Sequence, residues 1–546
     1  MNKKTSKKYL IIALCFSIIA AFTLFIYEPL VMYSGNIDEF WFDLGILMSV
    51  TVWPFLITAG LLGVVYTLVF FITRKKPLIF YIMEIVSFAG FIYFYIHGNF
   101  LTNILPTLYD EFINWWSSDF IIGHTISAVL FVVIIIMIIF SIKNFSAEKT
   151  AGYSFYVVMA FSVMMLVSFV ATLTTPGIFV DKEVQSIATA KNIRKISTNK
   201  NFYILLVDCT DSEAFNSFIE EKYQDDFKDF VYYKDSAPGY SLTRDSIPLI
   251  FSGVYNKNEV QFNKFSTEAF DNSKTFAYLE GEGYSLNLYS EDVVWNSKKS
   301  ATVSNFSNDI SNYNKKSFLK QEVKYILYKY LPFAFKSFSR IESINFMLAI
   351  QRGSIDDVVD WKNMYYYENV LSEDSEETDE KLFQYVHIEG AHSPYDMDED
   401  LNPIADGKGT YNQKIGAAAK IADLAVKRLK ESGAYDNSVI VIMSDHGWHT
   451  RDAVLYVKGF DEKHSEMKVS DRQVSWADLD AVFVKLASGM VAEDAFGDIP
   501  TEGRKRYYYV NPYYDREPMV EYMLDGGRSY NEEDWIKTGV EYPFPN

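Results

Sequence analysis

Apolar positions along the chain fall into two regimes. Up to residue 176 they run in long stretches, at roughly 9–28, 44–72, 78–98, 120–142 and 153–175. Each matches the twenty or so residues needed to cross a bilayer core. Beyond residue 200 the runs shorten. Tyr203–Val207 and Val439–Met443 are unbroken and apolar, Phe383–Ile388 is a third run with Gln384 and His387 inside it, and 284–290 is a weaker fourth. Such short runs predict strands covered on both faces of a parallel sheet. Over 411–432, Ile415, Ala418, Ile421, Ala422, Ala425 and Leu429 recur at helical spacing, and Gly433 stops the helix. Strand, helix, strand is α/β alternation. The expectation is five transmembrane helices over 1–176 and a linker with a helical piece over 177–200. An α/β domain over 201–546 follows, its mainly parallel central sheet flanked by helices.

A cleaved signal peptide is the alternative for the first stretch. It fails, because the stretch ends in Glu28-Pro29 without a small-residue cleavage site and four more spans follow. Lys3, Lys4, Lys7 and Lys8, then Arg74, Lys75 and Lys76, then Lys143 and Lys149 occupy alternate ends of the spans. The other loops carry Asp38, Glu39, Asp110, Glu111 and Asp119 and no base. Bases collect on the cytoplasmic side, so the N-terminus is expected inside and everything after Pro176 outside, in the plasma membrane. Trp41, Trp115 and Trp116 suit an outer aromatic belt. Glu84 in span three reads equally as lining a lipid-handling cavity or reaching the cytoplasmic headgroups. His124 reads as an interface residue. Cys15 in span one and Cys209 lie too far apart in depth to pair.

Charge sharpens the division. Residues 1–180 hold nine bases and nine acids, so the whole −19 lies in 181–546. Such a surface repels phosphate backbones and excludes a nucleic-acid partner. Residues 300–345 suggest an inserted helical region, the acidic run 373–380 a solvated loop, 476–487 a helix, and the tyrosine-rich tail surface strands.

The Val439–Met443 strand stops at Ser444-Asp445-His446-Gly447. Sites in open α/β sheets lie beyond the carboxyl ends of strands. An adjacent carboxylate and imidazole can ligate one divalent metal there, with Gly447 allowing a close turn. Asp208 ends the Tyr203 strand on the same edge; Thr210 or Asp211 can cap the helix that follows, leaving Asp208 free. Thr243 stands at the start of a short helix, where an anion is favoured, or acts simply as its N-cap. His387 lies inside a strand and reads as a core residue. His392, in the loop after it, reads as functional.

Asp208, Thr243, His392 and Asp445-His446, in that order and context, resemble the alkaline phosphatase/sulfatase superfamily. The resemblance is closest to its membrane-anchored branch, the lipoteichoic acid synthases and phosphoethanolamine transferases, and covers nearly the whole chain. Thr243, Ser246, Pro248, Phe251 and Ser252 follow the transferases' Thr-x-x-Ser-x-Pro-x-x-Phe-Ser pattern, and His392-Ser393-Pro394 is similar to their Ser-His-x-Pro loop. The resemblance implies a sulfatase-like domain with a metal held by Asp208, Thr243, Asp445 and His446. Thr243 is then the nucleophile and His392 a phosphoryl-binding residue. Three features depart from the pattern. Asp208 stands where those families carry Glu. Arg244 follows the nucleophile and becomes a candidate phosphate contact. The segment Trp448–Val454 is short and offers only His449 as a further substrate-binding histidine, with His464 farther on.

A threonine hydroxyl needs a cation to stabilise its alkoxide, and three oxygen ligands with one imidazole suit zinc or manganese. The expected activity is a metal-dependent phosphotransferase. It would move a phospholipid headgroup, glycerol phosphate or ethanolamine phosphate, to a cell-surface glycan or lipid through a phosphothreonine. The lipid donor, the acceptor and the bilayer are its expected partners. One alternative is a sulfatase-like sulfuric ester or phosphodiester hydrolase, although neither Cys209 nor Ser246 sits in a Cys/Ser-x-Pro-x-Arg context. The other is a non-catalytic membrane regulator.

Overall fold

The computed structural model describes residues 3–35, 37, 40, 42–101, 105, 114–179, 187–260, 262–290, 293, 300–307, 314–339, 359–405, 408–511 and 518–543. The chain forms two compact units, Met1–Lys182 with Ser311–Ser354, and Glu183–Ile310 with Ile355–Asn546.

Among its described residues the first unit holds five helices long and apolar enough to cross a membrane: Lys7–Gly35, Leu44–Lys75, Pro77–Phe100, Ser118–Phe145 and Ala147–Thr172. The first is the most enclosed; the second and fourth leave nearly all their apolar side chains open, as a lipid solvent permits. Tyr9, Phe16, Tyr66, Phe80 and Phe88 pack between them. Glu84 is wholly buried, and neither carboxylate oxygen has a hydrogen-bond partner among the described residues. It therefore faces the bundle interior and not the headgroups. His124 bonds the Trp115 carbonyl at 2.8 Å and stacks on Trp116, as an interface residue would. Trp41, Asp38, Glu39, Asp110 and Glu111 lie outside the described residues.

The inserted helical region belongs to this unit. Its helix Lys315–Tyr330 and 3-10 turn Phe333–Ser339 rest against the spans. Lys329 Nζ is 2.5 Å from Glu28 Oε2, and the Tyr330 hydroxyl also bonds Glu28. Gly98 and Gly123 permit the approach: a Cβ on Gly98 would sit 2.9 Å from the Tyr330 ring, and one on Gly123 2.5 Å from the Phe333 ring.

The second unit is built on a seven-stranded sheet. In chain order its strands are β1 (Asn201–Val207), β2 (Val231–Tyr233), β3 (Ser285–Tyr289), β4 (Leu382–Ile388), β5 (Ser438–Met443), β6 (Leu455–Lys458) and β7 (Lys468–Ser470). Across the sheet they run β7-β2-β6-β5-β1-β4-β3, and only β6 opposes the rest. Alternation of side chains explains the unbroken apolar runs. Phe202, Ile204 and Leu206 of β1, with Val439, Val441 and Met443 of β5, enter one core. Tyr203, Leu205 and Val207, with Ile440 and Ile442, enter the core on the opposite face. Both faces are covered, so every position in β1 and β5 is apolar or buried. Helices α1 (Ser212–Phe218), α2 (Thr243–Ser252), α3 (Tyr411–Glu431) and α4 (Leu479–Ala487) flank it.

Shorter elements complete this unit. Ile187–Ala188 and Lys195–Ser197, within the stretch read as a linker, are strands, and residues 180–186 lie outside the described ones. Lys195–Ser197 pairs with Glu376–Thr378, so the acidic run is an exposed edge strand and not a plain loop. The tail forms a three-stranded antiparallel sheet, β8 (Lys505–Val510), β9 (Met519–Asp525) and β10 (Trp535–Tyr542). Asp235 ties it down, accepting from Arg506 at 2.8 Å and Arg528 at 3.1 Å, with all but Arg528 fully buried.

Candidate functional site

Register brings the site together. Met443 of β5 lies beside Leu206 of β1, and Val207 beside Ile388 of β4. Asp445, Asp208 and the loop carrying His392 therefore leave the sheet at one edge. Beyond the strands, Asp208 still exchanges backbone bonds with the β4 side, its N–H to Ile388 at 3.1 Å and its carbonyl from Ala391 at 2.9 Å. That close approach requires Gly390, which holds φ +56° and whose added Cβ would overlap the Asp208 backbone. Gly447 is required by space: a Cβ there would lie 2.7 Å from Asp211 Oδ1.

Thr243 is the first residue of α2, and Leu242 before it makes no side-chain cap bond. The Thr243 hydroxyl does not cap the helix. It donates to Asp208 Oδ1 at 3.4 Å and lies 3.5 Å from His446 Nε2. His446 Nε2 is 3.2 Å from Asp445 Oδ2 and 4.0 Å from Asp208 Oδ1. His446 Nδ1 faces the Gly447 carbonyl at 2.8 Å and donates to it, which turns Nε2 toward the carboxylates. Asp445 Oδ1 accepts the Cys209 N–H at 3.0 Å, whereas its buried Oδ2 has no hydrogen-bond donor among the described residues.

Those separations fit a divalent cation. Ligands about 2.0–2.2 Å from a tetrahedral centre lie about 3.3–3.6 Å from one another. Two of the four separations, 3.4 and 3.5 Å, fall at that spacing, with 3.2 Å just inside it and 4.0 Å beyond it. Asp445 Oδ2 is an orphaned anionic oxygen facing the centre. A wider grouping of ligating atoms within 4.8 Å joins Asp208 and His446 to the Cys209 thiol. Sequence reasoning had set Cys209 aside.

The two carboxylates divide their charge unequally. Burial, then the neighbouring Asp208 charge, pushes Asp445 up to about 6. Burial also acts against Asp208, but the hydrogen bond from His387 and the fields of His392, His387 and His446 outweigh it and hold Asp208 well below the carboxylate range. His387 is thus more than core packing. Its Nε2 stands 3.5 Å from Asp208 Oδ2, so Nδ1 accepts from the Ser290 hydroxyl at 2.9 Å. Burial, then the charges of Asp208, Asp445 and Asp211, raise the Cys209 thiol.

The remaining expected residues stand around this centre. His392 is half-buried, its ring against Trp361 and its Nδ1 bonded to the Ser393 carbonyl at 2.7 Å. Its loop is fixed by fully buried Lys414 of α3, which reaches Glu389 at 2.7 Å, the Pro394 carbonyl at 3.1 Å and the Asp396 carboxylate. Asn363 clamps Gly390 by its N–H and carbonyl. The Arg244 guanidinium lies over the Phe262 ring, 4.4 Å from its centroid. His449 is exposed and packs edge-on against Tyr411 at 4.8 Å. His464 pairs with Glu462 at 3.2 Å, so it belongs to a different cluster.

Asp211 differs from expectation. Its side chain makes no bond to α1. Instead Oδ1 gathers the N–H groups of Trp448, His449 and Thr450 at 2.7, 3.1 and 3.4 Å. One carboxylate therefore moulds the short loop after Gly447.

Comparison with known proteins follows the same lines. The family model described as Sulfatase matches residues 222–473, a span that takes in Thr243, His392, Asp445 and His446. No curated protein matches the sequence. Among solved structures, the lipoteichoic acid synthase LtaP from Listeria monocytogenes is similar at 13% identity and TM-score 0.33, over 64% of this chain and 87% of that one. An alkaline phosphatase superfamily protein from Vibrio parahaemolyticus aligns at 12% identity and TM-score 0.35, over 66% and 87%. The phosphonate monoester hydrolase SpPMH from Silicibacter pomeroyi aligns at 10% and 0.32, over 64% and 91%. Residues 222–473 of this chain are therefore sulfatase-like.

Proposed function

We propose that this protein transfers a phospholipid headgroup, glycerol phosphate or ethanolamine phosphate, to a cell-surface glycan or lipid through a phosphothreonine at Thr243. The observation that carries the reading is the Thr243 hydroxyl, half-buried at the start of α2 and turned onto Asp208 and His446 instead of its own helix. A lipid donor also accounts for five apolar helices, where one would anchor a domain.

A zinc or manganese ion held by Asp208, Thr243, Asp445 and His446 would supply Lewis-acid stabilisation of the alkoxide and the phosphoryl oxygens. Within the chain, Thr243 Oγ1 attacks phosphorus, and its proton passes to Asp445, the more basic of the two carboxylates and itself bonded to Thr243. The P–O bond to diacylglycerol breaks, and His392 protonates the departing alkoxide. An acceptor hydroxyl then gives its proton to His392 and attacks the phosphothreonine, and Thr243 leaves with the proton returned by the carboxylate. Arg244 and His449 serve as candidate contacts of the headgroup.

Hydrolysis is the second reading, favoured by the family match over 222–473. A formylglycine route finds no support, since Ser246 is buried within α2. The test is intact-mass analysis of the full chain incubated with phosphatidylglycerol or phosphatidylethanolamine and no acceptor. A glycerol-phosphate or ethanolamine-phosphate adduct on Thr243 is expected with one of them. Absence of both adducts, with rapid cleavage of a soluble phosphodiester or sulfate ester, overturns transfer in favour of hydrolysis.

A further inference from the structure

We propose that Cys209 is itself a metal ligand, its thiolate joining Asp208 and His446 in a mixed sulfur, oxygen and nitrogen shell that selects zinc over manganese. The inference rests on the metal reading above and adds a residue and a metal preference to it.

Three observations support it. The Cys209 sulfur, an Asp208 carboxylate oxygen and a His446 ring nitrogen all lie within 4.8 Å of one another, and all three residues are buried. A buried thiol is usually a small apolar filler. This one instead shares its surroundings with a carboxylate oxygen and a ring nitrogen, both groups that ligate metals.

Second, the backbone of Cys209 is held where a non-glycine residue seldom rests, at φ +56°. Such a conformation persists only when neighbours impose it. Here Asp445 Oδ1 takes its N–H and the Tyr411 hydroxyl donates to its carbonyl, each at 3.0 Å. Both clamps belong to the site, and they set the direction in which its side chain leaves the main chain.

Third, a separate group in the same cluster lacks a partner that a cation would supply. Asp445 is fully buried, and its Oδ2 makes no hydrogen bond of good geometry among the described residues, although it lies 3.2 Å from His446 Nε2. A cation held between that oxygen and the ring nitrogen would satisfy both.

On binding, the S–H bond breaks, a sulfur–metal bond forms, and the proton leaves to solvent. Thiolate is a soft ligand, which manganese and magnesium accept poorly and zinc or cadmium accept well.

The chain has only two cysteines, and the other, Cys15, lies in the first apolar helix. Cys15→Ser therefore leaves one thiol in the full-length protein, which is purified in detergent and titrated with cadmium. Thiolate-to-cadmium charge-transfer absorption saturating at one equivalent is expected. Adding Cys209→Ser should abolish that band while cadmium still binds through oxygen and nitrogen. It should also lower the preference for zinc over manganese by at least about tenfold, the loss even outer-shell partners produce. Bound cadmium without the band overturns the thiolate assignment and leaves the metal reading standing. No bound cadmium overturns both. The first measurement uses an intact Cys209, so a folding failure of Cys209→Ser cannot blunt the test.

Discussion

At the scale of single residues, the site separates chemistry from stability. Thr243 is the first helical residue of α2 and caps nothing, so its hydroxyl contributes little to the fold. Thr243→Ala should abolish turnover and shift stability by less than the roughly 1 kcal/mol typical of a lost cap. Melting temperature and turnover measured side by side check this; retained turnover would remove Thr243 as nucleophile. A second residue controls pH response. Burial pushes Asp452 up to about 7 from its ordinary 3.8, despite its bond from Thr450. Between those values the folded state keeps a proton that the unfolded chain has lost, so stability declines as pH rises through the window. Asp452→Asn, whose oxygen can still accept from Thr450, removes the decline. Its melting temperature should exceed the parent's at about pH 8 by an amount worth up to a few kcal/mol, with the gap narrowing as pH falls and closing only below about pH 4. A pH-independent difference would refute the assignment. Asp208, Asp445, His446 and His392 were legible in the sequence because each follows an apolar strand. The new roles of Cys209, Asp211 and Lys414 were not, since each depends on partners roughly 20 to 240 positions away.

Among elements, legibility followed burial. β1, β4 and β5 are covered on both faces; β1 and β5 announce themselves as apolar runs, and β4 is readable despite Gln384 and His387 within it. β2, β7 and the strands at 187–188, 195–197 and 376–378 are two or three residues long, too short to carry a period. α3 was visible from its apolar stripe, yet its most consequential residue breaks that stripe. Lys414 is fully buried and binds both sides of the His392 loop, at Glu389 and at Asp396. Lys414→Met strands two carboxylates and should cost about 3–5 kcal/mol. Adding Glu389→Gln and Asp396→Asn should restore much of that stability without restoring turnover, because the loop is no longer pulled onto α3. Thermal melts with activity assays test it, and full activity in the neutral triple variant would show that Lys414 does not position His392.

At the scale of the whole chain, charge distribution makes an argument that folding alone does not. The apolar helices were plain from length and hydropathy, because a lipid solvent demands apolar residues on all sides. The insertion Ser311–Ser354 was visible as a composition change, but its place in the first unit depends on Glu28, Gly98 and Gly123 meeting Lys329, Tyr330 and Phe333. Orientation rests on Arg74, Lys75 and Lys76 between the second and third helices and Lys143 and Lys149 between the fourth and fifth, with acids at the opposite ends. Bases are retained on the cytoplasmic side, so those loops are expected inside and the sulfatase-like domain outside. With Cys15 and Cys209 replaced by serine, single cysteines at Lys75, Trp116 and Asp398 report the arrangement. A membrane-impermeant maleimide should label positions 116 and 398 in intact cells and position 75 only after permeabilisation. Labelling of 75 alone in intact cells would invert the topology. It would also place Thr243 in the compartment of cytoplasmic phosphate esters, where a cell-surface acceptor is out of reach and the transfer reading fails with it.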